Sequence, residues 1–348
     1  MQTPYVIFGA GAVGSAIGGY LARAGHEVVL VARETHVAAV REHGALRVTT
    51  YEEAFSVPLK AWTTLPERLP GEAVLCITVQ SPDVGAAVRA VGPHARRRAV
   101  VTWQNGVRAE DTAAPRCPRL YGGIVRFTAT LLDPGEVRLR RPGHLIVGRH
   151  PSGVDAAAER IVADLNAAGF TAAVSPDIRT EKALKLLVNL VSGPAVLVRR
   201  TGRCPELALV QSRLLDEAEA VYAAAGIRAE PLSGLGQTLE EMQARFRSGG
   251  GAPDGRPVYN STWQNLHHRR PRLENAFYHG EIIALGERNG IPTPLNRRVL
   301  EELEEVRERG LGPEPYSPAQ FRERFDGLVD FAEAPDLEAP APPPTLEI

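Results

Sequence analysis

The feature that most constrains this chain is a glycine-rich turn between an apolar strand pattern and a helix pattern. Residues 4–9 have the composition of a buried strand, GAGAVG occupies positions 9–14, and a helix pattern follows to about residue 24. A second apolar run at 27–32 completes a βαβ unit of about 30 residues. A GxGxxG spacing in this context predicts a dinucleotide-binding turn rather than a glycine-rich turn without a ligand.

Each glycine of the motif has a separate role in such a turn. Gly9 permits the tight turn, Gly11 lets the backbone approach a pyrophosphate, and Gly14 allows the helix to pack closely on the strand. Ala12 and Val13 then supply backbone N–H groups at the positive end of the helix dipole. We therefore predict that residues 9–14 bind the phosphates of a dinucleotide.

The tip of the second strand selects the cofactor. An enzyme that uses NAD usually places Asp or Glu there to bind the ribose 2′-hydroxyl. This chain has Arg33, and a cation suits a 2′-phosphate, although a solvated arginine is the alternative. We predict NADP as the cofactor; Glu34, one residue later, keeps NADH as the alternative.

The composition excludes several classes of partner. The formal net charge is −1 and the pI is about 6.8, so neither nucleic acid nor an anionic membrane is predicted. No apolar run reaches the roughly 18 residues of a membrane helix. Cys76, Cys117 and Cys204 lie far apart without a CxxC pair, which predicts neither a zinc site nor a disulfide framework. We expect a cytoplasmic protein without a cleaved leader.

Lysine is scarce in this sequence. Only three of the 40 basic side chains are lysines, namely Lys60, Lys182 and Lys185. Arginine can replace lysine almost anywhere except where a proton must be released, because a guanidinium does not deprotonate in proteins. Each retained lysine is therefore a candidate functional group, and two of them lie within one helical turn.

The order of patterns predicts two domains and a tail. Strand and helix patterns alternate over 1–175, which predicts an α/β fold with a doubly wound parallel sheet, a Rossmann domain. Asp-Pro-Gly at 133–135 divides two strand-like runs and predicts an antiparallel hairpin. Helix patterns over 176–330 predict a mostly α-helical substrate and catalytic domain. The acidic, proline-rich residues 331–348 predict a disordered tail.

Polar residues in both domains are candidates for reaction chemistry. Asn105 follows a predicted strand and should line the ligand crevice at the carboxyl end of the sheet, although a plain Asn-Gly turn is the alternative. Lys185 and Asn189 are four residues apart on a predicted helix and share one face. Reduction of a ketone by hydride leaves an alkoxide, and a desolvated lysine can donate the proton it needs. The alternative is a solvated lysine face paired with Glu181.

The second half of the chain holds further polar candidates. Ser261 opens the sequence STWQN, and Glu274 lies at the start of a predicted helix, where stabilisation of the helix N-terminus is the alternative role. A metal site using His267, His268 and His279 is not predicted, because adjacent histidines on a helix point apart. His267 or His268 as proton donor stays as an alternative to lysine.

The order of these motifs resembles the ketopantoate reductase family from residue 4 to about residue 310. The motifs are GAGAVG, an arginine after the second strand, QNGV, PGEV in the hairpin, KLLVN, STWQ, and ENAFYHGEI before GIPTP. The resemblance implies transfer of hydride from NADPH to the C2 carbonyl of ketopantoate, a small-molecule substrate, to give pantoate.

The resemblance also implies roles for individual residues. Lys185 would be the general acid, and Glu274 would hold the substrate hydroxyl and orient the site. Asn189 and Ser261 would bind substrate oxygens, and Asn105 would lie near the nicotinamide. A homodimer is expected, because the helical second domains of such enzymes often pair.

Several positions depart from the family pattern. Gly193 stands where a second asparagine is usual, Val258 stands where an asparagine precedes the serine, and Gln80 replaces a common lysine after the third major strand. We keep Gln80 as a predicted cofactor residue. Because losing hydrogen-bond partners for a polar substrate costs specificity, reduction of a different keto or imine substrate is the alternative. A non-catalytic NADP-binding protein is the more distant one.

Overall fold

A computed structural model of the chain describes residues 2–131, 133–199, 204–249 and 259–334. These residues divide into two compact units. The first contains the described residues up to Lys182 together with Pro231–Gly236, and the second contains those of Ala183–Glu230 and those from Gln237 onward. None of the helices in these ranges has both the length and the apolarity that a bilayer-spanning segment requires.

All strands of the described residues lie in the first unit. They are β1 (Tyr5–Phe8), β2 (Val28–Val31), β3 (Leu46–Thr49), β4 (Ala54–Val57), β5 (Lys60–Trp62), β6 (Val74–Ile77), β7 (Val100–Thr102), β8 (Leu120–Arg126), β9 (Ala129–Leu131), β10 (Glu136–Leu139), β11 (His144–Arg149) and β12 (Thr171–Val174). Eight of them form the main sheet in the order β12-β11-β8-β7-β6-β1-β2-β5. Neighbouring strands in this sheet are parallel, except that β8 and β11 pair antiparallel with each other. This arrangement confirms the predicted doubly wound sheet.

Helices cover both faces of the main sheet. In the first unit they are α1 (Ala12–Arg23), α2 (Glu34–His43), α3 (Val84–Ala95), α4 (Ala109–Ala113), α5 (Ala156–Ala167) and the start of α6 (Ile178–Ser192). Tyr5 and Ile7 of β1 belong to the core formed with α1, α2 and α5, whereas Val6 belongs to the core formed with α3 and α4. Because side chains alternate along a strand, a strand between two helical layers is apolar at every position.

A smaller sheet was not predicted from the sequence. Its four strands lie in the order β4-β3-β10-β9. The hairpin predicted around residues 133–135 is confirmed, since β9 and β10 pair antiparallel with Val137 opposite Leu131. On one side β3 pairs antiparallel with β4, and on the other it pairs parallel with β10, some ninety residues further on, with Glu136 opposite Arg47.

The second unit is helical in its described residues, as predicted. It contains the remainder of α6 and α7 (Pro205–Ala225), α8 (Leu239–Arg247), α9 (Ser261–His267), α10 (His279–Asn289), α11 (Pro294–Glu308) and α12 (Pro318–Phe325). One core joins α6, α7, α8 and α10, and another joins α7, α11 and α12.

The structure corrects the predicted start of the tail. Residues Phe331–Glu333 form a 3-10 turn, and Phe331 is buried in the core with α12. Burial of this aromatic side chain explains why order extends beyond residue 330. The rest of the predicted tail, residues 335–348, lies outside the described residues, as does Val258.

Candidate functional site

The glycine-rich turn has the backbone geometry that its sequence predicts. Gly9 has a φ of +100°, and a Cβ there would lie 2.5 Å from Val79. A Cβ at Gly14 would lie 2.5 Å from Thr78 Oγ1 and 2.9 Å from Ile7. Neither position therefore accepts a side chain without displacing its neighbours. Gly11 is exposed, and the nearest atom to a Cβ there would be 3.9 Å away, so the outer side of the turn is open.

The N-terminus of α1 fits a pyrophosphate. The helix begins at Ala12, and Gly11, which precedes it as the cap, has no side chain to accept a hydrogen bond from the first turn. No acidic residue lies in that turn. The backbone N–H groups of Ala12 and Val13 can therefore hold an anion at the positive end of the helix dipole.

The predicted cofactor residues follow four adjacent parallel strands. Arg33 comes after β2, the glycine motif after β1, Gln80 after β6 and Asn105 after β7. Since β7, β6, β1 and β2 are neighbours in this order, all these residues lie at the carboxyl edge of the sheet. Arg33 and Gln80 are exposed and Asn105 is half-buried. Ser81, next to Gln80, donates a 3.5 Å hydrogen bond from Oγ to the carbonyl oxygen of Asn105.

In the second unit, α6 brings two of the predicted site residues into contact. Lys185 Nζ donates a 3.0 Å hydrogen bond to Asn189 Oδ1. Lys185 is half-buried, and Asn189 is 7% exposed with its Nδ2 buried and without a hydrogen-bond partner in the described structure. An amide donor left unsatisfied beside an ammonium group is suited to bind a substrate oxygen.

Ser261 is connected to the end of the same helix. It is the first residue of α9, whose cap Asn260 accepts a hydrogen bond from Trp263 N and donates one of 3.1 Å to the carbonyl oxygen of Ser192. Ser192 Oγ in turn donates to the carbonyl oxygen of Asn189. The structure thus links the predicted substrate residues Ser261 and Asn189 through two backbone carbonyls.

Glu274 begins a 3-10 turn, Glu274–Phe277, rather than the α-helix that the sequence predicted. Its half-buried carboxylate accepts a 3.2 Å hydrogen bond from Tyr278 Oη. Tyr278 is buried in the core that contains the apolar residues of α6. The hydrogen bond fixes the orientation of the Glu274 carboxylate relative to this core.

Lys182 is not part of a solvated lysine face. It is 3% exposed, and its Nζ forms an ion pair with Glu110, which is 2% exposed. The same Nζ donates a 3.0 Å hydrogen bond to the carbonyl oxygen of Gln104, and Thr102 Oγ1 donates to Glu110. The network attaches the start of α6 to the loop that carries Asn105.

Glu181 is not a surface partner of the lysines either. It is fully buried and accepts a hydrogen bond from the backbone N of Ser233. Burial raises the pKa of the Glu181 carboxyl, although the Ser233 contact and the nearby Arg126 charge oppose that shift. Sequence reasoning missed both Glu110 and Ser233, because these partners lie about 50 to 70 residues away in the chain.

His279 is a buried residue that the sequence grouped only with the rejected metal alternative. Its Nδ1 lies 2.9 Å from Asn296 Oδ1, and Asn296 Nδ2 donates to Glu217. Burial lowers the pKa of His279 to about 4, so the ring is neutral near pH 7. Its Nε2 faces Gly193, where a Cβ would lie 2.6 Å away. No group of three His, Cys, Asp or Glu side chains in the described ranges could hold a metal ion.

Comparison with known proteins agrees with this arrangement. The family model described as ketopantoate reductase PanE/ApbA matches residues 5–152, and its C-terminal counterpart matches residues 177–307. A 2-dehydropantoate 2-reductase of Archaeoglobus fulgidus is 30% identical over 84% of this chain and 94% of its own length.

Solved structures have the same fold. A PanE/ApbA family ketopantoate reductase from Ralstonia eutropha matches with a TM-score of 0.74 and 26% identity, over 89% of this chain and 99% of that one. A D-mandelate dehydrogenase solved with NADH and anilino(oxo)acetate matches with a TM-score of 0.75 and 20% identity, over 89% of this chain and all of that one. The sequence matches, which span both units, show that this chain belongs to the ketopantoate reductase family.

Proposed function

We propose that this protein reduces ketopantoate to pantoate with NADPH, as a 2-dehydropantoate 2-reductase. The observation that carries the proposal is the 3.0 Å hydrogen bond between Lys185 and Asn189 on one face of α6. It joins the Lys185 ammonium group to a carboxamide in a chain that otherwise uses arginine for almost every cation.

The first unit supplies the residues for the cofactor. The backbone amides of Ala12 and Val13 would bind the pyrophosphate, and Arg33 would bind the 2′-phosphate. Gln80 and Asn105 would contact the cofactor further along the same sheet edge. The bound cofactor supplies the hydride, and the remaining chemistry belongs to the protein.

The second unit supplies the proton and the substrate contacts. Addition of hydride to the C2 carbonyl carbon turns its oxygen into an alkoxide, which takes one proton from the Lys185 ammonium and becomes the hydroxyl. Asn189 Nδ2 would donate a hydrogen bond to a substrate oxygen and so satisfy a donor that is otherwise buried without a partner. Ser261 would bind the carboxylate, and Glu274 would accept a hydrogen bond from the substrate hydroxyl.

Reduction of a different 2-keto acid is the second candidate function. Gly193 presents no side chain, and the His279 ring occupies the space that one would need. A substrate that relies on an amide at position 193 would therefore lose one hydrogen bond here. This observation is the reason to assay a panel of 2-keto acids rather than ketopantoate alone.

Steady-state assays of NADPH oxidation would test the proposal. Ketopantoate is compared with smaller and aryl 2-keto acids, using the wild-type protein, Lys185→Ala, and Lys60→Ala as an exposed-lysine control. We expect ketopantoate to be the best substrate and Lys185→Ala to lower kcat by about 10²- to 10⁴-fold with unchanged NADPH binding. Unchanged turnover in Lys185→Ala would move the proton donor elsewhere, with His267 and His268 as the next candidates.

Assembly and compartment belong to the same proposal. We propose a homodimer in the cytoplasm, because helical second domains of such enzymes often pair and Cys76 and Cys117 are buried thiols outside any disulfide. Light scattering after size-exclusion chromatography would show a mass of twice 37.6 kDa for a dimer. A single-chain mass at working concentration would contradict the dimer.

A further inference from the structure

His36, a buried histidine of α2, connects the two cofactor-binding segments of the first unit. It lies three residues after Arg33 and is 4% exposed. We propose that His36 is a positioning residue. It holds Arg33 at a fixed position relative to the phosphate-binding turn and so determines the preference for a 2′-phosphate, an inference that rests on the proposed use of NADPH.

The hydrogen bonds of His36 have a defined direction. Gly135 N donates to His36 Nδ1 over 2.9 Å, and a backbone amide can only donate. Nδ1 must therefore be unprotonated, and the ring carries its proton on Nε2. Burial lowers the pKa of His36 and the nearby Arg33 charge lowers it further, which keeps the ring neutral. Nε2 then donates to Ser15 Oγ, 3.2 Å away.

Ser15 carries the connection into the glycine-rich turn. It is fully buried in α1, directly after Gly14, and its hydroxyl donates to the carbonyl oxygen of Ala10 over 3.2 Å. The hydrogen bonds thus run in one direction, from the hairpin turn at Gly135 through the His36 ring and the Ser15 hydroxyl to the loop that would bind the pyrophosphate.

The backbone of His36 also fixes the start of α2. His36 N donates to the carbonyl oxygen of Arg33 over 3.0 Å, and Arg33 itself caps the helix with extended backbone angles. A side chain that fixes residue 36 against Ser15 therefore also fixes where the Arg33 backbone lies relative to residues 9–14. Ion contacts with a phosphate depend on donor position to within about 0.5 Å.

This arrangement predicts an effect on one cofactor and not the other. A shift of Arg33 weakens binding of a nucleotide that carries a 2′-phosphate. Binding of NADH relies on the pyrophosphate contacts of residues 9–14 and should change little. A residue with only a structural role would instead alter the affinity for both nucleotides alike.

Isothermal titration calorimetry would test the proposal without relying on turnover. The full-length protein is titrated with NADPH and, separately, with NADH. For His36→Ala we expect Kd for NADPH to rise about tenfold or more, and Kd for NADH to change by less than about threefold. His43→Gln, an exposed histidine of the same helix, should leave both values unchanged.

Two conservative variants keep the test decisive if His36→Ala folds poorly. His36→Asn places a carboxamide oxygen near the position of Nδ1 and can accept from Gly135. His36→Gln places an amide nitrogen near Nε2 and can donate to Ser15. Each should restore part of the NADPH affinity, because each keeps one half of the connection.

A double-mutant cycle identifies the residue through which His36 acts. Arg33→Ala should remove the preference for NADPH, and adding His36→Ala to it should cause no further loss. This inference alone would be overturned if His36→Ala left the ratio of the two Kd values unchanged while Arg33→Ala still removed the preference for NADPH. A wild-type protein that prefers NADH would overturn the proposed cofactor and this inference with it.

Discussion

Replacing Glu110 by glutamine should destabilise the first unit far more than loss of a surface ion pair. Glu110 and its partner Lys182 are 2% and 3% exposed, so the ammonium would stay buried without a compensating charge. Removing one member of a buried pair typically costs about 3–5 kcal/mol. With an m value of about 2 kcal/mol per M of urea, the unfolding midpoint should fall by roughly 2 M.

The assay follows one buried tryptophan through urea unfolding. Trp103 lies directly after β7 and packs against Gly123, and Trp62→Phe with Trp263→Phe leaves its fluorescence as the only indole signal. The control is Glu27→Gln, which breaks the exposed pair with Lys60 and should cost less than about 1 kcal/mol.

A charge-free pair separates the effect of the buried charge from loss of shape. Lys182→Met combined with Glu110→Leu should recover most of the stability, because apolar side chains of similar volume can replace a buried ion pair at little cost. Glu110→Gln unfolding at the same urea concentration as Glu27→Gln would refute the argument that an unpaired buried ammonium is responsible.

Three further predictions concern other buried groups. Gly193→Asn should lower the melting temperature, because the new side chain would overpack against the His279 ring. Adding His279→Ala to that variant should restore the melting temperature. Equal melting temperatures for wild type and Gly193→Asn would contradict the clash. Because the pKa of His279 is about 4 when folded and about 6.5 when unfolded, the unfolded state binds the proton first as pH falls. The free energy of unfolding should therefore decrease from pH 6.5 to 4, and a His279→Gln variant with the same pH slope would disprove this assignment. Burial raises the pKa of Cys76 to about 12 and of Cys117 to about 11, so a thiol reagent should label neither until urea is added; rapid labelling of the native protein would contradict their burial.

Local sequence patterns were sufficient where function depends on local geometry. The turn at Gly9 and Gly14 could be predicted because a strand, a tight turn and a helix follow each other directly in the chain. Arg33 could be placed for the same reason, since its position is counted from the end of β2.

Long-range pairing is the part that sequence patterns could not supply. Lys182 was correctly singled out as a rare lysine, but its neighbour Glu181 suggested a surface partner. The fold instead brings Glu110 to it from a helix 72 residues away and turns Glu181 toward Ser233. The hydrogen bond that His36 accepts from Gly135 likewise depends on a hairpin that closes 99 residues later. Periodicity reports the face of a helix, whereas tertiary packing decides what covers that face.

The three lysines show why rarity of a residue type identifies positions without identifying roles. Lys60 is exposed and pairs with Glu27 across the surface, where an arginine would serve equally well. Lys182 is enclosed: it is 3% exposed, and its Nζ packs against the Glu110 carboxylate and the carbonyl oxygen of Gln104. Lys185 is half-buried beside an amide. Packing therefore explains Lys182 without any need for proton transfer, and among the three only Lys185 combines partial burial with a position next to an unsatisfied hydrogen-bond donor.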